Sequence, residues 1–522
     1  MTEDLTRRRL FELAGAATAG AAAAGAAGLS ASGCDVIGND ASGPTAVTPA
    51  AAYTAGPPFK SRPDLTPPHI TIRRSRVGTD PRYIFLNAPY SGPGHGGSYI
   101  IDTKGHFVWF GPNTASHHRL NFSAQTFKGE PVLTWFQGLV VGGYGRGELV
   151  IADSSYKIRH IIRAHGNQLA DFHEFVVTPQ GTALITIYRR HANVNLRAVG
   201  GPANGYLVSG VCQEIDIATG NLLFEWDSWA PTNPHVPLTD TFQKIGVGDG
   251  GHGTKASPFN YFHINSIAEV EPGNPISDLL ISGRNTWAVY RIKRATGHIV
   301  WQLNGKKSDF TMGPRSQFHW QHHVRLGQNG FPQMTVFDNG VPNEPQSRAL
   351  LLAVDTTTMR VELKKAFVHP GAVYQSGAMG SAQLLSDGRM FVGWGTEPHF
   401  SEFAPDGSLL LDADIIKGDP SYRAFAQNWA GQPDPRVELP AAAARQRSGG
   451  ATVYASWNGA TKVRWWVVYA GRTRSTLHKI TKAGKSGFET AIAVSNRGPY
   501  FQVQALDGKG RALAKSPIVK IT

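Results

Sequence analysis

Pairs of short apolar strands joined by a polar turn recur along residues 95–415. In each pair an apolar strand ends in a turn with Asp or Gly, and a second apolar strand, often with an aromatic residue, follows. This pattern is typical of a β-hairpin, because Asp and Gly readily adopt the backbone angles of tight turns. The copies span 99–109, 149–162, 214–226, 289–301, 349–362 and 400–411. About six copies at intervals of roughly 50–75 residues predict an all-β fold with a six-bladed β-propeller over residues 67–438.

The pattern changes near residue 440. Residues 441–448 are rich in Ala, Arg, Gln and Ser, which predicts a linker. Alternating apolar strands follow at 451–457, 463–470 and 500–506, with turns about every ten residues. We expect a small β-sandwich over residues 449–522, and its segments resemble those of a fibronectin type III-like module.

The first 34 residues have the pattern of an export signal. Residues 6–11 read Thr-Arg-Arg-Arg-Leu-Phe and precede a weakly apolar Ala/Gly-rich run at 13–29, which is typical of a twin-arginine signal and too weakly apolar for a membrane-spanning helix. The run ends in Ala-Ser-Gly-Cys, which resembles a lipoprotein processing site and predicts a lipid on Cys34. The alternative is cleavage nearby, with Cys34 incidental. Residues 35–66 are rich in Ala, Gly, Pro and Thr and predict a flexible tether, so we expect an exported protein held to the membrane only by this lipid, on the extracytoplasmic face of the cell envelope.

The 522-residue chain carries a net charge of +13. A charge of this size suits nucleic acid, an anionic envelope surface or an anionic small substrate. Because the Lys and Arg residues are scattered and form no nucleic-acid-binding motif, we expect no nucleic-acid partner. Cys212, the other cysteine, lies in an apolar run, which favours a small buried residue over a nucleophile.

Candidate chemistry is concentrated in histidine-containing segments between the hairpins. The segments are Asp171-Phe172-His173-Glu174-Phe175, Tyr261-Phe262-His263-Ile264-Asn265-Ser266-Ile267, Ser282-Gly283-Arg284-Asn285 and Phe318-His319-Trp320-Gln321-His322-His323-Val324-Arg325. Inner propeller strands are expected between the hairpins, so the polar side chains of these segments should converge on the central channel. The alternative for any single histidine is a hydrogen-bonded structural residue.

Two kinds of chemistry suit such a cluster. Three histidines from separate blades can bind a metal, although His173-Glu174 lacks a second histidine four residues on. A neutral imidazole can instead attack an electrophilic sulfur or phosphorus and carry the transferred group as a covalent intermediate. Transfer of an anionic group needs positive charge and hydrogen-bond donors around it, which Arg284, Asn265, His263 and His173 would supply.

Four of these elements in this order resemble a known family. His263-Ile264-Asn265-Ser266-Ile267, then Arg284, then Gln321-His322, preceded by the Asp-x-His-Glu-Phe element ending at Phe175, are similar to the bacterial aryl sulfotransferases that do not use phosphoadenosine phosphosulfate. The related arylsulfotransferase-like domain of actinobacteria shares them. The resemblance covers roughly residues 70–430 and includes export and the six-bladed propeller.

The resemblance implies a ping-pong transfer without nucleotide, metal or other cofactor. His322 would take a sulfuryl group from a phenolic sulfate ester and pass it to a phenol. His263, Asn265 and Arg284 would hold the sulfuryl oxygens, and His173 would act as oxyanion partner or proton carrier. Strand alternation lets only one of His322 and His323 face the channel. Gln321, which we also expect at the substrate, favours His322.

Other functions stay open from the sequence. A propeller that binds anionic envelope glycans or protein partners without catalysis is the principal alternative, because a fold does not imply a function. A metal-dependent hydrolase or lyase is the third hypothesis.

Overall fold

Six sheets of mainly antiparallel strands follow one another between residues 71 and 427 of the computed structural model, and two of them include one parallel pair. The structure describes residues 59–522 except 69, 79, 90–95, 115–116, 230–235, 328–329, 342–343, 416–418 and 496–497. Within these ranges the helical residues form 3₁₀ turns at Arg197–Val199, Leu238–Asp240 and Gly248–Gly250. The prediction of an all-β chain is therefore confirmed.

Each sheet is built from strands that are consecutive in the chain, after an initial strand β1 (Thr71–Ser75). Sheet 1 contains β2 (Tyr83–Ala88), β3 (Gly97–Ile101) and β4 (Phe107–Pro112). Sheet 2 contains β5 (His118–Phe127), β6 (Glu130–Val141), β7 (Tyr144–Ala152) and β8 (Ile158–Ile162). Sheet 3 contains β9 (Phe175–Val177), β10 (Thr182–Val194), β11 (Gly205–Asp216) and β12 (Leu222–Asp227), with β13 (Phe259–Asn260) paired to β11.

The later sheets have the same order. Sheet 4 contains β14 (Ile264–Glu269), β15 (Leu279–Gly283), β16 (Ala288–Ile292) and β17 (Ile299–Asn304). Sheet 5 contains β18 (Thr311–Met312), β19 (His322–Gly327), β20 (Gly330–Asp338), β21 (Arg348–Asp355) and β22 (Arg360–Phe367), with β18 paired to β22. Sheet 6 contains β23 (Ser381–Leu384), β24 (Met390–Gly393), β25 (His399–Phe403) and β26 (Leu409–Asp414).

The hairpins expected from the sequence are all present, as the last two strands of sheets 1 to 6. The β3–β4 turn shows why the local pattern is informative. Gly105 has φ 82° and its N–H donates to the carbonyl of Asp102 (3.0 Å), a backbone conformation that glycine adopts without steric cost.

The first and last strands of this region each pair with the sheet at the opposite end of the region. Strand β27 (Phe425–Gln427) pairs with β2 and completes sheet 1, whereas β1 pairs with β26 at the edge of sheet 6. Neighbouring sheets share apolar cores, and sheet 6 packs on sheet 1 as each earlier sheet packs on the next. Cys212 lies fully buried in the core between sheets 3 and 4, where burial raises the pKa of its thiol.

The C-terminal part forms two further antiparallel sheets around one core that includes Trp466. Sheet 7 contains β28 (Ala441–Arg447), β29 (Gly450–Ser456) and β32 (Glu489–Val494). Sheet 8 contains β30 (Trp465–Gly471), β31 (His478–Gly484), β33 (Tyr500–Leu506), β34 (Ala512–Lys515) and β35 (Val519–Lys520).

One local prediction in this part is wrong. Residues 441–448 were expected to be a linker, but β28 occupies most of them and pairs with β29 along seven residue pairs, from Ala441↔Ser456 to Arg447↔Gly450. Alanine has little intrinsic preference for strands, so the pairing with a neighbouring strand decides the conformation here.

The predicted N-terminal signal, residues 1–34 with Cys34, lies outside the described residues. The described end of the predicted 35–66 tether is ordered, because Phe59 stacks on Phe488 (4.3 Å between ring centroids) and the N–H of Ser61 donates to Glu489 (2.6 Å). In the part of the chain that the structure describes, no helix has the length and apolar character that a membrane span requires.

The C-terminal sheets bind sheet 1 through a side-chain amide. Asn458 Oδ1 accepts from the N–H of Phe110 and its Nδ2 donates to the carbonyl of Phe110, both at 2.9 Å. The hydroxyl of Tyr156 in sheet 2 donates to the neighbouring carbonyl of Gly459 (2.7 Å). These buried contacts make the C-terminal part continuous with the sheets that precede it.

Replacement of Asn458 by Ala should lower the free energy of unfolding by about 1–3 kcal/mol, because two buried backbone groups of Phe110 lose their partners. Thermal or denaturant unfolding measures this loss. Asn221→Ala, at an exposed position, is the matched control and should change little. Equal stability of both variants would contradict a structural role for the Asn458 contact.

Candidate active site

Three of the predicted histidines lie at the beginnings of β9, β14 and β19, the end strands of sheets 3, 4 and 5. His173 precedes β9 by two residues, His263 directly precedes β14, and His322 is the first residue of β19. All are at most 5% exposed, and the rings of His173 and His263 lie 4.9 Å apart between centroids. The structure thus brings together residues separated by up to 149 positions in the sequence.

Hydrogen bonds determine which nitrogen of His322 carries the proton. Nδ1 faces two acceptors, Asn339 Oδ1 at 2.7 Å and the carbonyl of Trp320 at 3.1 Å. The amide of Asn339 is itself oriented, because its Nδ2 donates to the carbonyls of Ser376 and Met379. The proton is therefore on Nδ1, and Nε2, which faces the N–H of Met379 at 3.2 Å, holds the lone pair.

The surroundings of His322 favour its neutral form. Burial lowers the pKa of His322 well below its usual value, and the charge of Arg284 lowers it further, against a smaller opposing effect of the Asn339 bond. A neutral ring with an unprotonated Nε2 is the nucleophilic form of histidine.

His263 and Arg284 occupy adjoining positions at the site. The N–H of Arg284 donates to the carbonyl of His263 (3.0 Å), and the guanidinium lies 4.8 Å from the ring centre of Trp320. Asn260 Nδ2 donates to His263 Nδ1 (2.7 Å), so the neutral ring carries its proton on Nε2. Burial, then His173 and Arg284, lower the pKa of His263 well below its usual value. The site therefore presents a fixed cation and an uncharged donor.

His173 forms a dyad with a carboxylate. Its Nδ1 donates to Asp171 Oδ2 at 2.5 Å, and its backbone N–H donates to the same oxygen at 2.7 Å. Asp171 is fully buried and is held on its other oxygen by the N–H of Gly145 (2.5 Å). This bond leaves Nε2 of His173 as the nitrogen that exchanges a proton, as in other carboxylate–histidine pairs.

Three residues of the same segments have a strained backbone. His263, Trp320 and His323 have φ of 54°, 51° and 51°, in the left-handed region that non-glycine residues rarely adopt. Each such residue costs on the order of 1–2 kcal/mol and persists only where the surrounding structure enforces it. The packing around these three residues therefore holds their backbone in place.

The two predicted amide residues are fully buried beside the cluster. Asn265 Nδ2 donates to the carbonyl of Gln321 (2.7 Å). Gln321 Nε2 lies 3.0 Å from both Ser282 Oγ and the carbonyl of Gly283, so this amide connects the start of β19 to sheet 4. Direct substrate binding by Asn265 and Gln321 stays a prediction.

His323 faces different partners from His322. Its Nδ1 lies 3.1 Å from the carbonyl of Ala382, and its ring packs 5.4 Å from that of Phe425. Burial, then Arg325 and Arg423, lower its pKa. The charges of Arg284 and His173 act on the pKa of His322, and the strand register shifts directly after it, so the two neighbouring rings have different surroundings.

The sequence did not indicate the residues that support these histidines. Glu174 Oε1 accepts from Arg423 Nη1 (2.8 Å) and Oε2 accepts from Arg325 Nη2 (2.7 Å), while Arg423 Nη2 donates to the carbonyl of Asn265 (2.8 Å). The hydroxyl of Tyr422 donates to the carbonyl of His173 (3.1 Å). Arg423 and Asn339 lie far from their partners in the chain, and only the Asp171-x-His173 spacing was visible locally.

Among the described residues, two groups have possible ligand atoms close enough together to bind one cation. His173, His263 and His322 belong to neither group. The groups are His369, His399 and Asp412, and His319, Asp338 and Glu344. Hydrogen bonds and ion pairs explain both. In the first group, Asp412 accepts hydrogen bonds from both histidines. The N–H of Gly371 donates to His369 Nδ1, so the proton of that ring is on Nε2. Arg348 binds the carboxylates of the second group.

The buried neutral histidines predict how stability depends on pH. His263, His322 and His323 have folded pKa values below the unfolded value of about 6.5. Below pH 6.5 the unfolded chain therefore binds more protons than the folded chain, and stability falls as the pH falls. Each histidine should contribute about 1.4 kcal/mol per pH unit in this range.

Denaturant unfolding between pH 7.5 and 5 measures this slope. His323→Gln should reduce it by the contribution of one histidine. A stability that does not change between pH 7 and 5.5 would contradict burial of these rings in neutral form.

One comparison with known proteins identifies a family for this chain. A family model described as arylsulfotransferase (ASST) matches residues 123–416, which is more than half of the chain. A comparison with curated proteins found no match.

The solved structures that match this chain are distant from it in sequence. A protein of unknown function from Bacteroides caccae is 12% identical with a TM-score of 0.38, covering 67% of this chain and 99% of its own. A catalytically inactive virginiamycin B lyase from Staphylococcus aureus with quinupristin is 9% identical with a TM-score of 0.33, covering 75% of this chain and 97% of its own. A streptogramin B lyase is also 9% identical with a TM-score of 0.33, with coverages of 74% and 94%.

The family match extends over the sheets that carry His173, His263, Arg284 and His322. The chain therefore belongs to the arylsulfotransferase (ASST) family.

Proposed function

We propose that the protein transfers a sulfuryl group from a phenolic sulfate ester to a phenol through a sulfohistidine at His322. The observation that carries the proposal is the neutral His322 ring, whose lone pair is on Nε2 and whose pKa is lowered by burial and by the charge of Arg284. Membership of the arylsulfotransferase family supports sulfuryl transfer in general.

In the first half-reaction, the lone pair of His322 Nε2 gives up the hydrogen bond that it accepts from the Met379 N–H and attacks the sulfur of the donor. The bond between sulfur and the aryl oxygen breaks, and its electron pair leaves with the phenolate. His173, protonated on both nitrogens, gives its Nε2 proton to that oxygen and keeps its Nδ1 bond to Asp171.

In the second half-reaction, a phenol attacks the same sulfur. His173 Nε2 takes the phenolic proton, the bond between sulfur and nitrogen breaks, and His322 regains its lone pair. Arg284, His263 and Asn265 would hold the three sulfuryl oxygens, which carry negative charge throughout. Gln321 would fix the strand that presents His322.

We also infer the arrangement around this site. Sheets 1 to 6 would be the blades of a six-bladed β-propeller over residues 67–438, supported by the core that sheet 6 shares with sheet 1. Sheets 7 and 8 would form a fibronectin type III-like sandwich that begins at β28.

Export rests on the sequence of residues 1–34. The twin-arginine pattern and Cys34 support an extracytoplasmic lipoprotein at the cell envelope. A small phenolic donor and acceptor would reach the protein there.

His322→Asn should abolish transfer, by on the order of a thousandfold or more, because the covalent route loses its nucleophile. His323→Asn is the matched control, since the neighbouring ring is equally buried but faces Ala382. Phenol release from a chromogenic aryl sulfate measures the rate, and circular dichroism verifies folding. If folded His322→Asn retained turnover and His323→Asn lost it, the assignment of the reaction to His322 would be wrong.

Asp171→Asn should slow transfer by roughly a hundredfold for donors with weakly acidic phenols, because His173 loses the partner that orients its proton. Donors with strongly acidic phenols should be spared, since their phenolates leave without a proton. The dependence of kcat on leaving-group acidity tests this role. Equal loss for all donors would indicate a purely structural function of Asp171.

A further inference from the structure

Arg119, the second residue of β5, is partly buried and differs in its partners from three buried arginines. Arg294, Arg348 and Arg423 each bind carboxylates. Among the described residues, the guanidinium of Arg119 makes no ion pair, and its one assigned contact is the face of Trp135, 5.0 Å from the ring centre. The undescribed segments nearest in sequence, 90–95 and 115–116, contain no Asp or Glu.

The surroundings of Arg119 are shaped to hold a guanidinium. Its backbone is held on both sides, because its N–H donates to Asn113 Oδ1 (3.0 Å) and its carbonyl accepts from Asn87 Nδ2 (3.1 Å). A Cβ on Gly111 would lie 2.3 Å from Arg119 Nη1 and 2.4 Å from Cη2 of Trp109. Gly111 has no unusual φ, so the absence of a side chain there is required by space.

The charge of Arg119 is poorly compensated. Burial lowers its pKa to about 10, and no acidic group opposes this effect. The nearest carboxylate along the sheet, Glu148, already binds Gln137 (2.9 Å) and Arg163 (2.8 Å). Because Arg119 is only partly buried, part of its side chain is exposed to solvent, and stacking on Trp135 offsets some of the cost of burying the rest. An anion would supply the missing charge.

The strand that carries Arg119, the first of its sheet, also carries a residue of the side-chain network around Glu174. Two residues further along β5, Asn121 Oδ1 accepts from Arg423 Nη1 (3.4 Å). Arg423 binds Glu174, the residue after His173. This network therefore connects the strand of Arg119 to the segment of His173.

We propose that Arg119, with Trp135 beneath it, binds an oxyanion group, a carboxylate or a sulfate. The planar guanidinium of arginine suits the two oxygens of such a group. Stacking on an aromatic ring covers the face of the guanidinium and leaves the N–H groups at its edge accessible. The group is either a free inorganic anion or an anionic substituent of an aromatic substrate. The second source rests on the proposed function, whereas the site itself does not.

Selenate, a heavy analogue of sulfate, tests the site directly in crystals of the protein. We expect an anomalous peak within hydrogen-bond distance of the Arg119 guanidinium in the wild type and in Arg163→Gln, an exposed arginine of the same sheet. The peak should be lost in Arg119→Gln and weakened in Arg119→Lys, which keeps the charge but not the fork. Absence of the peak in the wild type, or its persistence in Arg119→Gln, overturns the proposal.

Kinetics distinguish the two sources. If the anion belongs to a substrate, Arg119→Gln should raise KM for a carboxylated aryl sulfate about tenfold more than for the uncharged parent donor. Arg163→Gln should leave both values unchanged. Selenate at Arg119 without a difference between donors supports the site and assigns it to a free anion. Because selenate binding needs no turnover, failure of the sulfotransferase proposal would leave this result interpretable.

Discussion

The arrangement of the site depends on the ion pairs of the Glu174 carboxylate. This carboxylate binds Arg325 of sheet 5 and Arg423, which follows sheet 6, and Arg423 continues to the backbone of Asn265 in sheet 4. Burial alone would raise the pKa of Glu174, but the two arginines lower it, so the group is ionised. Removal of one partner from such a buried pair typically costs about 3–5 kcal/mol. One residue next to His173 thus fixes strands from several sheets relative to one another.

The same burial that requires this ion pair makes the histidines chemically useful. In a site from which water is excluded, a charged imidazole is unfavourable beside Arg284, so His322 and His263 are neutral. Asn339 and Asn260 then hold opposite tautomers, with a lone pair on Nε2 of His322 and a proton on Nε2 of His263. A lone pair and a hydrogen-bond donor at Nε2 thus arise from the same residue type through different amide partners.

The sequence predicted those features that depend on neighbouring residues. Hairpins such as β3–β4 follow from the Asp and Gly residues of their turns, and the order of His173, His263, Arg284 and His322 indicated one site. The roles of Arg423 and Asn339 were not predictable, because each acts on a residue of another strand and neither lies in a recognisable motif. Strand β28 was missed for the same reason, since its partner β29 rather than its alanines determines its conformation.

The central claim is that His322 carries the sulfuryl group, and peptide mass spectrometry tests it most directly. The protein is mixed with an aryl sulfate in the absence of acceptor, quenched and digested. The account predicts a mass gain of about 80 Da on the peptide that contains His322, located at that residue by fragmentation and lost after a phenol is added. Release of phenol without an adduct, or an adduct on another residue, would contradict it.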